Sequence, residues 1–391
     1  MPSPQILDRL FQPMPANDFM SQVWEKRYHH ACRADDRYFA DLAGDVNLGE
    51  QIWRAQGSWA GFSLGRSRTS PRECAYLSQP LTEGAVRAAL REGYTLVVND
   101  VQNASATAAR LCRAMEAAFC ARANANLYLT PAGCQGLDAH YDDQDVFVLQ
   151  LEGAKVWHLY DDAGRALPLD DEAYQAPDLE GRTPTRVALA PGDVLYVPRG
   201  IVHEAHTEHS SSLHMTISVS SIRWASFVAR LCDTIARSEP SLRRAIPPAV
   251  LRGDVPITGR HWDDLLSVLL PNLTEPAMAG QALGALRSQV MGSMRRLPSA
   301  DSAILPPRGA VQAERFRIAP DQVWFLTVGD GVLNLSFIGA DMTMPSRFEP
   351  LVRRICDGQP VDVETLSAGE PHDQIRRLLD QLVAAGLLVA C

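Results

Sequence analysis

At 391 residues the chain is longer than one hydrophobic core usually fills, so two to three domains are expected. Its hydrophobic share of 46% and charged share of 21% suit an ordinary globular protein, and a net charge of -9 argues against a broad basic surface for nucleic acid. Direct nucleic-acid binding is therefore not expected, whereas a cationic polypeptide would suit the charge.

The eight cysteines (Cys32, Cys74, Cys112, Cys120, Cys134, Cys232, Cys356 and Cys391) contain no C-x-x-C pair, so neither a zinc knuckle nor a disulfide framework is indicated. Met1 to Phe11 lacks a basic patch followed by an apolar run, and no apolar stretch reaches the roughly 18 residues of a spanning helix. The expectation is a cytoplasmic protein with reduced thiols and no membrane partner.

Residues 1 to about 90 are mixed, with a helix expected over Phe19 to Lys26 and irregular Gly/Ser/Arg-rich sequence from Gly57 to Pro71. They read as an N-terminal elaboration of the domain that follows. Gly93 to Asp100 is β-branched, apolar and bounded by turn residues, which predicts a strand. Ala104 to Arg122 places Ala108, Leu111, Met115, Ala118 and Phe119 at helical spacing.

From Asn126 the pattern shortens. Asn126–Thr130, Asp145–Leu151, Lys155–Tyr160, Thr185–Leu189, Val194–Val197 and Leu213–Val219 read as strands, with turns at Glu152-Gly153 and Pro191-Gly192-Asp193. Short strands at this spacing predict a closed all-β unit, most naturally a jelly roll. After Ser221 the period becomes helical: Trp224–Arg237, Pro240–Ile246, His261–Leu269 and Pro276–Arg296, ending at the Pro-rich Leu305-Pro306-Pro307. Apolar faces there suit helix pairing, within the chain or between subunits. A small α+β unit follows, with a strand at Val332–Ile338 and helices at Phe348–Cys356 and Gln374–Ala385, an order that suits a winged helix. The domains are thus 1–220, 221–308 and 309–391, in an α+β chain.

His140 and Asp142 are two residues apart, so on extended backbone their side chains share a face. His203 lies in Gly192-Asp193-Val194-Leu195-Tyr196-Val197-Pro198-Arg199-Gly200-Ile201-Val202-His203, which matches the second cupin motif G-x5-P-x-G-x2-H. Together they make a 2-His-1-carboxylate facial triad, which leaves three positions on Fe(II) for a bidentate co-substrate and dioxygen. His206 and His209 read as solvated loop residues and His214 as a strand residue.

Lysine is scarce: only Lys26 and Lys155 occur among the 37 basic residues. Alternation places Lys155 with Trp157 and Leu159 on one strand face. An ammonium facing the barrel interior needs an anionic partner, which the distal carboxylate of 2-oxoglutarate would supply. Asn126, Thr216 and Ser218 lie on strands that could face the same cavity.

Asn126–Gly153, Lys155–Tyr160 and Pro191–Ala205 resemble the JmjC-type ribosomal oxygenases, a branch of the cupin-like 2-oxoglutarate oxygenases. The likeness extends more loosely to Gly93–Phe119. It implies a double-stranded β-helix core, a helical dimerisation domain and a C-terminal winged helix. It also implies iron ligands at His140, Asp142 and His203, a co-substrate lysine at Lys155, and pocket residues at Asn126, Tyr128 and Ser218 or Thr216. A subgroup that hydroxylates arginine carries arginine in place of that lysine. The implied reaction is Fe(II)-, 2-oxoglutarate- and dioxygen-dependent hydroxylation of a histidine or arginine side chain in a ribosomal protein, by a homodimer. Other readings are a tailoring hydroxylase of a biosynthetic precursor peptide, a non-catalytic cupin/winged-helix regulator, and a zinc or manganese cupin such as a sugar isomerase. Asp142 and Lys155 count against the last.

Overall fold

The computed structural model describes residues 5–33, 35–67, 75–161, 163–169, 172–294, 297, 315–319, 322–329, 331–366 and 371–391. Residues 2–221 and 222–391 form two compact units.

The first unit opens with helices α1 (Gln5–Phe11) and α2 (Ala16–Gln22), strand β1 (His29–Ala31), helices α3 (Ala40–Asp45) and α4 (Leu48–Arg54), and strand β2 (Phe62–Gly65). Helix α5 (Glu83–Arg91), strand β3 (Thr95–Val98) and helix α6 (Ala106–Phe119) follow. Three of these helices start on side-chain caps: Asn47 accepts from Glu50 N at 3.0 Å, Thr82 from Ala85 N at 3.1 Å, and Ser105 from Ala108 N at 3.0 Å. The helix expected over Phe19–Lys26 ends earlier, at Gln22. Glu25 has left-handed backbone (φ 55) and gives its N–H to the Tyr196 hydroxyl at 3.0 Å, a tertiary contact that outweighs local propensity.

The barrel strands are β4 (Arg122–Thr130), β5 (Asp145–Gly153), β6 (Lys155–Tyr160), β7 (Thr185–Leu189), β8 (Val194–Val197), β9 (Val202–His206) and β10 (Ser212–Ser220). They form a seven-stranded sheet, β1-β8-β5-β10-β4-β3-β2, and a three-stranded sheet, β7-β6-β9. All pairings given for both sheets are antiparallel. This is the cupin-like double-stranded arrangement.

Strand β5 is covered on both faces. Phe147 packs with Phe11, Phe19 and Tyr196 under the N-terminal helices, while Val146 and Val148 join Trp157, Leu159, Leu195 and Val197 between the sheets. That two-sided burial explains why Val146–Leu149 is a continuous apolar run rather than an alternating one. Between β5 and β6 only Ala154 intervenes. Gly153 has φ 64, and a Cβ there would stand 1.8 Å from Ser211 O, so the tight passage that launches Lys155 requires glycine.

The second unit begins with helices α7 (Trp224–Ser238), α8 (Pro248–Leu251), α9 (Gly259–Leu273) and α10 (Pro276–Ser293). Phe227, Leu231, Ile235, Leu269 and Ala282 pack together from α7, α9 and α10. The expected Pro-rich end of this region lies outside the described residues. Beyond it come β11 (Arg315–Ile318), β12 (Trp324–Gly329), β13 (Val332–Phe337), β14 (Ala340–Pro345), α11 (Glu349–Cys356), β15 (Val361–Asp362), α12 (Val363–Leu366), α13 (His372–Ala384) and β16 (Leu388–Ala390). The strand and two helices expected here form as β13, α11 and α13. The additional strands complete two small sheets, β12-β13-β14 and β15-β11-β16.

Candidate metal and co-substrate site

His140 and His203 are placed by an isolated antiparallel bridge. His140 N donates to His203 O at 3.0 Å and His203 N to His140 O at 2.8 Å. Gly200 N donates to Asp142 O at 2.9 Å, which ties the Pro/Gly turn before His203 to the third candidate ligand. The ligand atoms of His140, Asp142 and His203 all lie within 4.8 Å of one another. His140 Nε2 is 3.9 Å from Asp142 Oδ1, and His203 Nε2 is 3.7 Å from Asp142 Oδ2.

The imidazoles are oriented for coordination. His140 Nδ1 lies 2.7 Å from Asp138 O, and His203 Nδ1 lies 3.0 Å from Ile201 O. Donation from each Nδ1–H to a carbonyl fixes the tautomer that presents a bare Nε2 lone pair. Burial, then the neighbouring His140, holds the His203 pKa below its usual value, favouring the neutral ligand form.

Beside the triad is a cavity of about 280 Å³, whose walls include Thr95, Tyr128, Lys155, Trp157, His214 and Thr216. Lys155 is buried, and its Nζ donates to Thr130 Oγ1 at 3.0 Å. No carboxylate pairs with it among the described residues, and burial pulls its pKa down to about 7. Trp157 Nε1 and His214 Nδ1 are buried there without a hydrogen-bond partner among the described residues. A concave site with a buried amine and orphaned polar groups fits an anionic ligand, and the adjoining imidazole–carboxylate set fits a divalent metal.

The remaining sequence candidates divide. Tyr128 and Thr216 line the cavity; burial, followed by the Asp142 charge, pushes the Tyr128 phenol up to about 12. Asn126 and Ser218 are not among the lining residues, and Asn126 Oδ1 accepts from Asp100 N at 3.0 Å. His206 is not a loop residue. It lies in β9 on the face opposite His203, with its ring centroid 5.1 Å from that of His158. His209 is exposed, and His214 is buried in β10 with its ring stacked on Tyr128 at 4.9 Å. The sequence pattern did not single out His214, which lines the cavity, or Thr130, which accepts from the Lys155 amine. Both were within reach of period-two counting, since Thr130 lies two residues past Tyr128 and His214 two before Thr216.

Residues 97–227 match the profile of the JmjC domain. This match covers most of the cupin-like barrel, whose fold is JmjC-like. Bovine "Ribosomal oxygenase 2" is 42% identical over 153 residues, covering 36% of this chain and 32% of that protein. Human "Ribosomal oxygenase 1" is 31% identical over 219 residues, covering 55% and 34%. The Dictyostelium discoideum "Bifunctional lysine-specific demethylase and histidyl-hydroxylase NO66" is 40% identical over 131 residues, covering 33% and 26%. The chain is similar to these ribosomal oxygenases, and it spans only about a third or less of the length of these curated relatives. Escherichia coli ycfD shares the fold at a TM-score of 0.57 and 17% identity, with 96% of this chain and 98% of that chain covered. A second structure of that protein, with a TM-score of 0.53, is described as a complex with cobalt and 2-oxoglutarate.

Proposed function

We propose that the chain is an Fe(II)- and 2-oxoglutarate-dependent hydroxylase of a histidine or arginine side chain in a ribosomal protein or similar polypeptide. The observation that carries this reading is the buried Lys155, without a carboxylate partner among the described residues, in the same cavity as His140, Asp142 and His203. Those three side chains would hold iron. Lys155, assisted by Thr130, would bind the distal carboxylate of the co-substrate.

With dioxygen, iron and 2-oxoglutarate supply the oxidising chemistry, yielding succinate, carbon dioxide and a hydroxylated substrate. The protein's own work is orientation and exclusion of water. The His140–His203 bridge fixes two ligands, the Gly200–Asp142 hydrogen bond fixes the third, and Trp157, Val146 and Val148 supply apolar wall. Lysine rather than arginine at position 155 favours histidine as the target, and the name histidyl-hydroxylase carried by one relative points the same way.

The helical region is read as a homodimer interface. Trp224, Val228, Trp262, Leu266 and Leu270 are exposed on α7 and α9, an apolar surface of the kind that usually marks association. Residues 309–391 are read as a winged-helix-like unit, on the strength of three helices accompanying the β12-β13-β14 meander.

The test is incubation with iron, 2-oxoglutarate and a ribosomal protein fraction, following succinate and the mass of each polypeptide. Succinate together with a one-oxygen gain on a ribosomal histidine or arginine supports the proposal. A gain only on a biosynthetic precursor peptide would reassign the substrate. Full metal loading without succinate would remove the enzymatic reading.

A further inference from the structure

Strand β1 lies at the edge of the seven-stranded sheet, and His30 and Cys32, two residues apart, share one side of that chain segment. Its antiparallel register sets His30 opposite Leu195 and Ala31 opposite Val194, so the next step brings Asp193 toward Cys32. An imidazole, a thiol and a carboxylate from two distant segments thereby meet, with ligand atoms all within 4.8 Å of one another. None of the three lines the iron cavity.

We propose that His30, Cys32 and Asp193 form a second metal site, for a thiophilic divalent cation of the zinc type. Zinc binds imidazole nitrogen and carboxylate oxygen at about 2.0–2.2 Å in a tetrahedron, so two such ligands stand a little over ~3 Å apart. His30 Nε2 stands 3.1 Å from Asp193 Oδ2. That edge of the tetrahedron is already close to its required length.

The carboxylate is held in advance. Asp193 is 1% exposed; its Oδ1 accepts from Arg33 N at 2.6 Å and its Oδ2 from Ala190 N at 3.0 Å. Hydrogen bonds of this kind orient a ligating carboxylate. The turn that carries it is equally fixed, because Gly192 has φ 93 and a Cβ there would lie 2.1 Å from Asp35 O. The Cys32 thiol is the exposed member, facing the solvent from which an ion would arrive. Three protein donors leave one position for water, and thiolate with imidazole selects zinc over magnesium or calcium. Such an ion would fasten β1 to the turn between β7 and β8, giving the site a structural role separate from the oxygenase centre.

Without metal, His30 and Asp193 already satisfy each other as a hydrogen-bonded pair, so the thiol decides the matter. Cobalt(II) titrated into the full chain reads it directly. A thiolate–cobalt bond gives a near-ultraviolet charge-transfer band, which the sulfur-free iron triad cannot produce. The expected result is a band saturating at one cobalt per chain in a His140→Ala background. It should vanish in the same background carrying Cys32→Ser and weaken by roughly tenfold or more with His30→Ala. In the His140→Ala background, zinc should also raise the melting temperature, and it should not do so once Cys32→Ser is added. Absence of the band at saturating cobalt, or its persistence in Cys32→Ser, overturns the proposal.

Discussion

His140 and His203 exchange both backbone hydrogen bonds across a two-residue bridge, so the two imidazoles that would ligate a metal are fixed relative to each other. Loss of one ring therefore removes a donor that no neighbour can replace. His203→Ala should reduce iron-dependent 2-oxoglutarate turnover at least about 100-fold, since loss of outer-shell partners alone costs roughly 10–100-fold. Turnover within a few-fold of wild type would show that His203 is not a ligand.

Lys155 gives a pH dependence of definite sign. Its folded pKa, about 7, lies below the usual lysine value of 10.5 because burial disfavours the cation. Between those values the unfolded chain binds the proton and the folded chain does not, so the lysine's destabilising effect is full below pH 7 and relieved as pH rises to 10.5. A bound carboxylate reverses this preference and requires the ammonium. Co-substrate binding above pH 7 should therefore take up a proton and weaken as pH rises, measurable by calorimetry in buffers of different ionisation enthalpy. Lys155→Met should bind 2-oxoglutarate far more weakly without lowering the melting temperature, because a buried charge has been replaced by an apolar chain. Equal affinity at pH 6.5 and 8.5 would contradict this account.

Arg199 holds the turn before His203. Its Nη1 donates to Asp145 Oδ2 at 2.9 Å and also to Glu25, while Tyr196 donates to Asp145 Oδ1 at 2.8 Å. Burial raises the Asp145 pKa, opposed by the Tyr196 hydrogen bond and the Arg199 charge. Arg199→Met leaves that buried carboxylate without its cation, and should destabilise the chain by about 3–5 kcal/mol in urea unfolding. A loss under ~1 kcal/mol would mean that Arg199 contributes little.

The exposed apolar residues of α9 predict association. Leu266→Asp combined with Trp262→Glu should convert a dimer to a monomer in light scattering, because charge in a buried apolar interface is strongly unfavourable. A wild type that is monomeric at micromolar concentration would rule out the interface.

The sequence was most informative where one physical constraint acts on a short segment. The triad was legible because ligand chemistry dictates both residue type and spacing, and the buried lysine because it is one of two in the chain. Strands β5 and β6 were legible because their apolar runs reflect burial at once. Strands β1 and β2 were not, since three and four residues carry too little periodicity, and β2 lies in Gly/Ser-rich sequence. Asn126 shows what alternation does not name: its strand was correctly read, and its side chain accepts a hydrogen bond from Asp100 N and meets Tyr128 of the cavity wall, partners set by the fold.

Anaerobic titration of the iron-loaded protein with 2-oxoglutarate examines metal, co-substrate and lysine together. Bidentate chelation of ferrous iron produces a visible metal-to-ligand charge-transfer band. The wild type should develop that band to saturation, His203→Ala should not, and Lys155→Met should require at least about tenfold more 2-oxoglutarate. No band in the iron-loaded wild type, or identical titration curves for wild type and Lys155→Met, would contradict the assignment of this cavity to iron and 2-oxoglutarate.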